Sequence, residues 1–143
     1  MFRFIAPERG TDAAGDGGYG ASRGGRSHRG VDYAVLPGSV LLSPVNGRIT
    51  KIGYPYADDL SYRYVQITTK RGEHHRFFYV EPHPDLEENQ KIRAEQTPIG
   101  VTQDVTARYP ELDMTPHIHY EIKDASGAYL NPEKYWEGDH PTG

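Results

Sequence analysis

Apolar residues in this chain recur at every second position over short stretches, and no stretch carries the three-to-four-residue period of a helix. The clearest case is His117-Ile118-His119-Tyr120-Glu121-Ile122, where polar and apolar side chains alternate without a break after Pro116. That pattern predicts a strand with one face in a core. Arg48 to Gly53 alternates in the same way. Val31–Val35, Val40–Leu42, Tyr62–Thr69 and His75–Val80 read as further strands, with turns at Pro37-Gly38 and Lys70-Arg71-Gly72-Glu73. Asn46-Gly47 is a strong hairpin signal, so the stretches on its two sides are expected to pair.

Leu86 to Gly100 reads as short strands and turns, and Thr102 to Thr115 as a polar loop. Glu133 to Trp136 reads as a helical or turn segment. The glycine-rich stretch 8–30 reads as an irregular lead-in, with residues 1–20 a partly irregular arm and 137–143 a flexible tail. The prediction is one mainly β domain over 1–143, a small antiparallel sheet with long loops. Its 143 residues fit a single domain.

Composition supports this class and narrows the chemistry. Eleven Tyr, sixteen Gly and eleven Pro suit strands and turns better than a helical bundle. With no cysteine, disulfides and thiolate metal sites are excluded, so a metal must be held by His, Asp or Glu. A formal charge of −4 offers no overall basic field for nucleic acid, which is not expected as a partner. No apolar run is long enough to span a membrane, and the opening residues are too short for a signal-peptide core. A site of action outside the cell would then call for release by lysis, carriage on a virion, or removal of a leader.

Two short motifs carry metal chemistry. In His28-Arg29-Gly30-Val31-Asp32, an imidazole and a carboxylate four residues apart share one face of an extended segment. In His117-Ile118-His119, two imidazoles share a face while Ile118, Tyr120 and Ile122 turn to the core. Either motif alone is common. Two such strands side by side would bring three or four ligating groups to one point. A catalytic zinc site needs three nitrogen or oxygen ligands and one open position.

These stretches, in this order, resemble the lysostaphin-type zinc metallopeptidases, which cleave peptidoglycan peptides. Ser43-Pro44-Val45-Asn46-Gly47-Arg48-Ile49 is similar to a hairpin of that family, and Asn89 to Gly100 is similar to a segment that follows it. Leu130-Asn131-Pro132-Glu133-Lys134-Tyr135-Trp136 is similar to the family's closing motif. The resemblance runs from about residue 20 to 136. It implies zinc as cofactor, with His28, Asp32 and His119 as ligands and His117 as a catalytic histidine. It also implies a groove across a small antiparallel sheet and a peptidoglycan stem peptide or cross-bridge as substrate. A phage-encoded member, an endolysin or a wall-degrading tail part beside other virion tail proteins, is one form such a chain takes.

The family's middle Tyr-x-His motif reads Tyr79-Val80-Glu81 here, which places Glu81 at the second catalytic position. Three readings follow. Glu81 acts as the general base, as a carboxylate does in other zinc proteases. Alternatively His83 or His75 supplies an imidazole from nearby. In the third reading the site holds zinc but cuts slowly or not at all, and the domain serves as a wall-binding or structural module. A carbohydrate-cleaving site would need two paired carboxylates, and no motif pairs them. His74 and His75, just after a turn, and His140, in the tail, read as solvated residues. Glu121 either orients a ligand from behind or faces solvent. Tyr54, Tyr56, Tyr62 and Tyr64 either line a groove or pack as ordinary strand residues.

Overall fold

In the computed structural model, residues 30–110 and 114–135 are described, together with the backbone of 11–12, 15–16 and 136–137. Among the described residues, twelve strands and one α-helix follow in chain order. They are β1 (Thr11–Asp12), β2 (Gly15–Asp16), β3 (Gly30–Ala34), β4 (Val40–Leu42), β5 (Gly47–Gly53) and β6 (Tyr64–Thr68). Next come β7 (His74–Phe78), β8 (Val80–Pro82), β9 (Lys91–Ile92), β10 (Pro98–Thr102), β11 (His117–Lys123), β12 (Tyr129–Leu130) and α1 (Pro132–Glu137). A 3₁₀ turn at Val105–Arg108 interrupts the loop before β11. The two dipeptide strands pair with each other inside the arm expected to be irregular.

The large sheet has the order β12-β11-β7-β6-β5-β9, with β3 also paired to β11, and its ladders are antiparallel. A smaller sheet has the order β4-β10-β8. Directly opposed residues of an antiparallel pair share a face. The register therefore puts Val31, Tyr33, Val65, Ile67, His75, Phe77, Ile118, Tyr120 and Ile122 on one side of the large sheet. Most of these join Leu41, Val80 and Ile99 of the smaller sheet in one core. Phe77 and Tyr120 stack 4.8 Å apart at its centre. Each fully buried side chain of this size contributes roughly 1.5–3 kcal/mol.

The expected hairpin at Asn46-Gly47 does not form. β4 pairs with β10 in the smaller sheet, whereas β5 pairs with β6 and β9 in the large one, so these residues carry the chain from one sheet to the other. Asn46 serves as a bridge: its Oδ1 accepts from the Ala94 N–H at 2.7 Å. Gly47 is required for a close approach, because a Cβ there would overlap the Thr68 carbonyl oxygen. Gly38 and Gly72, by contrast, do hold the positive φ that their turns need.

The strand expected over His75–Val80 breaks at Tyr79. Its φ of 69° is rare for a residue with a side chain and costs on the order of 1–3 kcal/mol. There the chain leaves the large sheet and enters the small one. The N–H groups of Tyr79 and Val80 both donate to the Arg63 carbonyl, and Gln103 N–H donates to that of Tyr79.

His75 is fully buried, which corrects its reading as a solvated turn residue. Burial pushes its pKa down, so the ring is neutral. The Tyr120 hydroxyl donates to its Nδ1 at 2.6 Å, and Nε2 faces Glu73 Oε1 at 4.0 Å. Tyr135 donates to the same carboxylate at 2.8 Å, and Arg71 reaches both Glu73 and Tyr135. First the His75 imidazole, then Tyr135 and Arg71, hold Glu73 down from 4.5 to about 2 against the effect of burial.

A carboxylate held down in the fold adds stability above its unfolded pKa, and loses it as pH falls through the folded value. Denaturant titrations should therefore show a component on the order of 2 kcal/mol disappearing between about pH 4.5 and pH 2. Glu73→Gln should remove that component and lower stability at pH 7.

Candidate metal centre

The face of the large sheet turned away from the core carries the polar chemistry. The β3–β11 register sets Asp32 opposite His119, Ala34 opposite His117 and Gly30 opposite Glu121. Asp32 is only 3% exposed, a costly place for a carboxylate unless it is partnered. Two imidazoles partner it. His119 Nδ1 lies 3.0 Å from Asp32 Oδ1, and His117 Nε2 lies 3.5 Å from Asp32 Oδ2.

The other nitrogens of both rings fix their orientation. His117 Nδ1 donates to the Thr115 carbonyl at 2.7 Å, so a neutral His117 keeps its lone pair on Nε2, toward Asp32. His119 Nε2 donates to Glu121 Oε1 at 2.9 Å, which leaves Nδ1 facing the Asp32 carboxylate. Glu121 is therefore not a plain solvent-facing residue: its carboxylate holds the His119 ring, and its side chain is 13% exposed. A lone pair aimed at a carboxylate oxygen is repelled unless a cation sits between them. In the metal-free protein that cation is a proton: burial disfavours it, but Asp32 and Glu121 outweigh burial and raise the His119 pKa to about 9.

Gly30 is a site residue that sequence reasoning passed over. A Cβ on it would come within 2.8–2.9 Å of the His119 ring and would overlap the Tyr120 carbonyl. The signal was in plain view, as a glycine between His28 and Asp32 in the first motif. Arg76 was missed as well. It lies opposite Glu121, with Nη1 3.8 Å from Glu121 Oε2, and its Nε donates to Gln66 at 2.7 Å. Gln66 in turn donates to Thr50 at 3.0 Å. A polar row thus crosses the sheet from the histidines to β5.

Aromatic rings wall the site beside His117. Tyr79 meets its ring edge-on at 5.7 Å, Tyr56 stacks on Tyr79, and Tyr62 packs edge-on against both. The hydroxyls of Tyr79, Tyr56 and Tyr109 form a hydrogen-bonded chain. Burial, with the Asp32 charge behind it, pushes Tyr79 up to about 12, so its hydroxyl stays protonated. Tyr64 stacks on Phe78, which meets His119 edge-on. Tyr54 is exposed, under the Arg63 guanidinium.

Glu81 is exposed on β8, opposite Val101 in the smaller sheet. Among the described residues, no hydrogen bond or ion pair joins it to Asp32, His117 or His119. His83 is also exposed, and its Nδ1 accepts from the Asp85 N–H. His75 belongs to the core side of the sheet, away from His117. His28 and His140 lie outside the described residues. Among the described residues no three donors close on one point, and two of the three predicted ligands, Asp32 and His119, are in contact.

Residues 26–132 match the family model for Peptidase family M23. The chain belongs to that family. Among curated proteins, an uncharacterized metalloprotease of Haemophilus influenzae is similar to this M23 chain, at 26% identity over 107 residues. That match covers 75% of the chain but 20% of the relative, so the chain spans about a fifth of the relative's length.

Among solved structures, LytU is similar with a TM-score of 0.67 at 18% identity, covering 96% of this chain and 90% of that one. The catalytic domain of lysostaphin from Staphylococcus simulans gives 0.64 at 18%, covering 85% and 90%. Helicobacter pylori Csd3 gives 0.64 at 23%, covering 94% of this chain and 33% of that one. These likenesses show that the M23 chain has the lysostaphin-type fold.

Two substitutions test the electrostatics and packing of the M23 site. In the metal-free protein, Glu121→Gln should lower the His119 pKa from about 9 by about one unit or more, read by NMR titration of the ring. Gly30→Ala should cost about 1–3 kcal/mol in urea denaturation and shift the His119 ring resonances, because the added carbon needs space that the ring occupies.

Proposed function

We propose that this M23 domain is a zinc-dependent endopeptidase that hydrolyses peptide bonds in bacterial peptidoglycan, in a stem peptide or a cross-bridge. The observation that carries the reading is the buried Asp32 carboxylate facing His119 Nδ1, with Glu121 holding the far side of that ring. Such a nitrogen–oxygen pair binds a proton in the empty protein and suits a borderline-soft dication in its place. Asp32, His119 and, by its place in the first motif, His28 would hold the zinc. Bound zinc would supply Lewis acidity, lowering the pKa of water and polarising a carbonyl.

The chain's own residues move and hold protons. His117 Nε2 is a basic nitrogen 3.5 Å from Asp32 Oδ2, with the ring fixed by the Thr115 carbonyl. It takes a proton from the attacking water and returns it to the leaving amine. Tyr79 packs against His117 and keeps that ring in place. Glu81, two residues on, takes the second proton-transfer role by its position in the motif. Action on a wall polymer puts the site of action outside the cytoplasm, in the cell wall or periplasm. Delivery from a virion, beside tail proteins, is one route to it.

A second reading has one specific observation behind it. Glu81 stands at a position where the family has histidine, and it is exposed on the smaller sheet, which fits a domain that binds metal and wall without cutting.

Metal analysis and digestion of purified cell walls separate the two readings. The wild type should carry one zinc per chain, cut the wall, and stop when a chelator removes the metal. His117→Ala should keep its zinc and lose about 10²–10⁴-fold in rate, Glu81→Ala should lose activity likewise, and Asp32→Ala should lose the metal. Zinc at one per chain with no cutting across several wall chemotypes would sink the enzyme reading in favour of the binding module.

A further inference from the structure

A cavity of about 600 Å³ lies toward the far edge of the large sheet, where β5, β6 and β9 meet. Arg48, Lys70, Lys91 and Arg93 line it, with Thr68, Thr69 and other neutral residues. No carboxylate lines it, in a chain whose formal charge is −4. Among the described residues none of these cations is in an ion pair, and Arg48 is steadied by a neutral partner, donating to the Asn89 carbonyl at 2.9 Å. Thr69 is 4% exposed, and its hydroxyl has no hydrogen-bond partner among the described residues. Four like charges around one concavity repel one another, a cost that an anion in the cavity would reverse.

The register places this cavity relative to the metal centre. Lys91 opposes Arg48, Arg48 opposes Thr68, Thr68 opposes His74 and His74 opposes Lys123, so all lie on the face that carries Asp32 and His119. β5 is three strand spacings, about 14 Å, from β11. The Glu121–Arg76–Gln66–Thr50 row runs between the two places.

We propose that the cavity is a second binding site, which takes phosphate groups of an anionic polymer. A single carboxylate brings one charge to four cations, whereas consecutive phosphates of one polymer bring several charges and several pairs of acceptor oxygens into the same cavity. No aromatic ring lines the cavity, so a nucleic acid would find no surface on which to stack its bases. The site is independent of peptide cleavage and would hold the domain on a phosphate-bearing wall or surface polymer.

The test is an NMR titration of the full chain at about 0.15 M salt, where non-specific surface attraction is largely screened. Tripolyphosphate should bind saturably at one per chain, with amide shifts centred on Arg48, Thr68 to Lys70 and Lys91 to Arg93. The double variant Lys91→Ser/Arg93→Ser should weaken binding about tenfold or more, and Lys51→Ser, outside the cavity on the same strand, less than about twofold. These side chains are exposed, and an unchanged amide spectrum would confirm that the fold is retained. Poly(glycerol phosphate) distinguishes the sources. Its binding at the same amides supports a polymer site, and binding of tripolyphosphate alone overturns it. The proposal is overturned if tripolyphosphate fails to saturate, or if Lys51→Ser weakens it as much as the double variant. It is equally overturned if tricarballylate or oligo-dT binds as tightly.

Discussion

A buried carboxylate shared by two imidazoles is the constraint around which the rest of this molecule is arranged. Asp32 is held at 3% exposure where β3 and β11 run antiparallel in one register, which aims His117 and His119 at its two oxygens. A shift of that register by one residue would turn Asp32 into the core and bring Val31 out to the histidines. Stability alone does not favour such an arrangement, since buried charges repay their desolvation poorly. The proposed metal would favour it, because a cation between His119 and Asp32 would settle both groups at once.

The core on the other side of the sheet makes this expense affordable. Phe77, Tyr120 and the aliphatic residues of both sheets bury enough surface to keep β11 rigid, so its alternate residues are presented as a fixed row. One polar cluster is admitted there, His75 with Tyr120, Glu73, Tyr135 and Arg71, and its partners lie within reach of one another. Strain is also spent near the site. The positive φ of Tyr79 sends the strand into the smaller sheet and turns its ring against His117.

Much of this was legible in the chain. The period-2 pattern of 117–122 located β11 and told its two faces apart, because alternation is a local property of a strand. The motif pair put His28, Asp32 and His119 forward together as metal ligands, and of these Asp32 and His119 lie 3.0 Å apart while His28 is outside the described residues. The Asn46-Gly47 reading failed for a physical reason. Both residue types suit a tight turn, but the same side chains also suit a bridge and a close strand approach, and the choice depends on which sheet each flanking strand joins. His75 was misread similarly, since nothing local says that a histidine after a turn will point inward.

The sequence by itself determined the β class, the ligand types open to a cysteine-free chain, and the strand faces on which the histidines stand. These follow from residue chemistry and from the two-residue period of extended backbone, both of which act over a few neighbours. Only the tertiary structure decided that Glu121 clasps the back of His119, that Gly30 leaves room for its ring, and that Glu81 leaves the large sheet for the small one. It also decided that lysines and arginines separated by more than forty residues ring one cavity. Such facts depend on the order and register of strands distant in the chain, and sequence periodicity does not encode how far one strand lies from another.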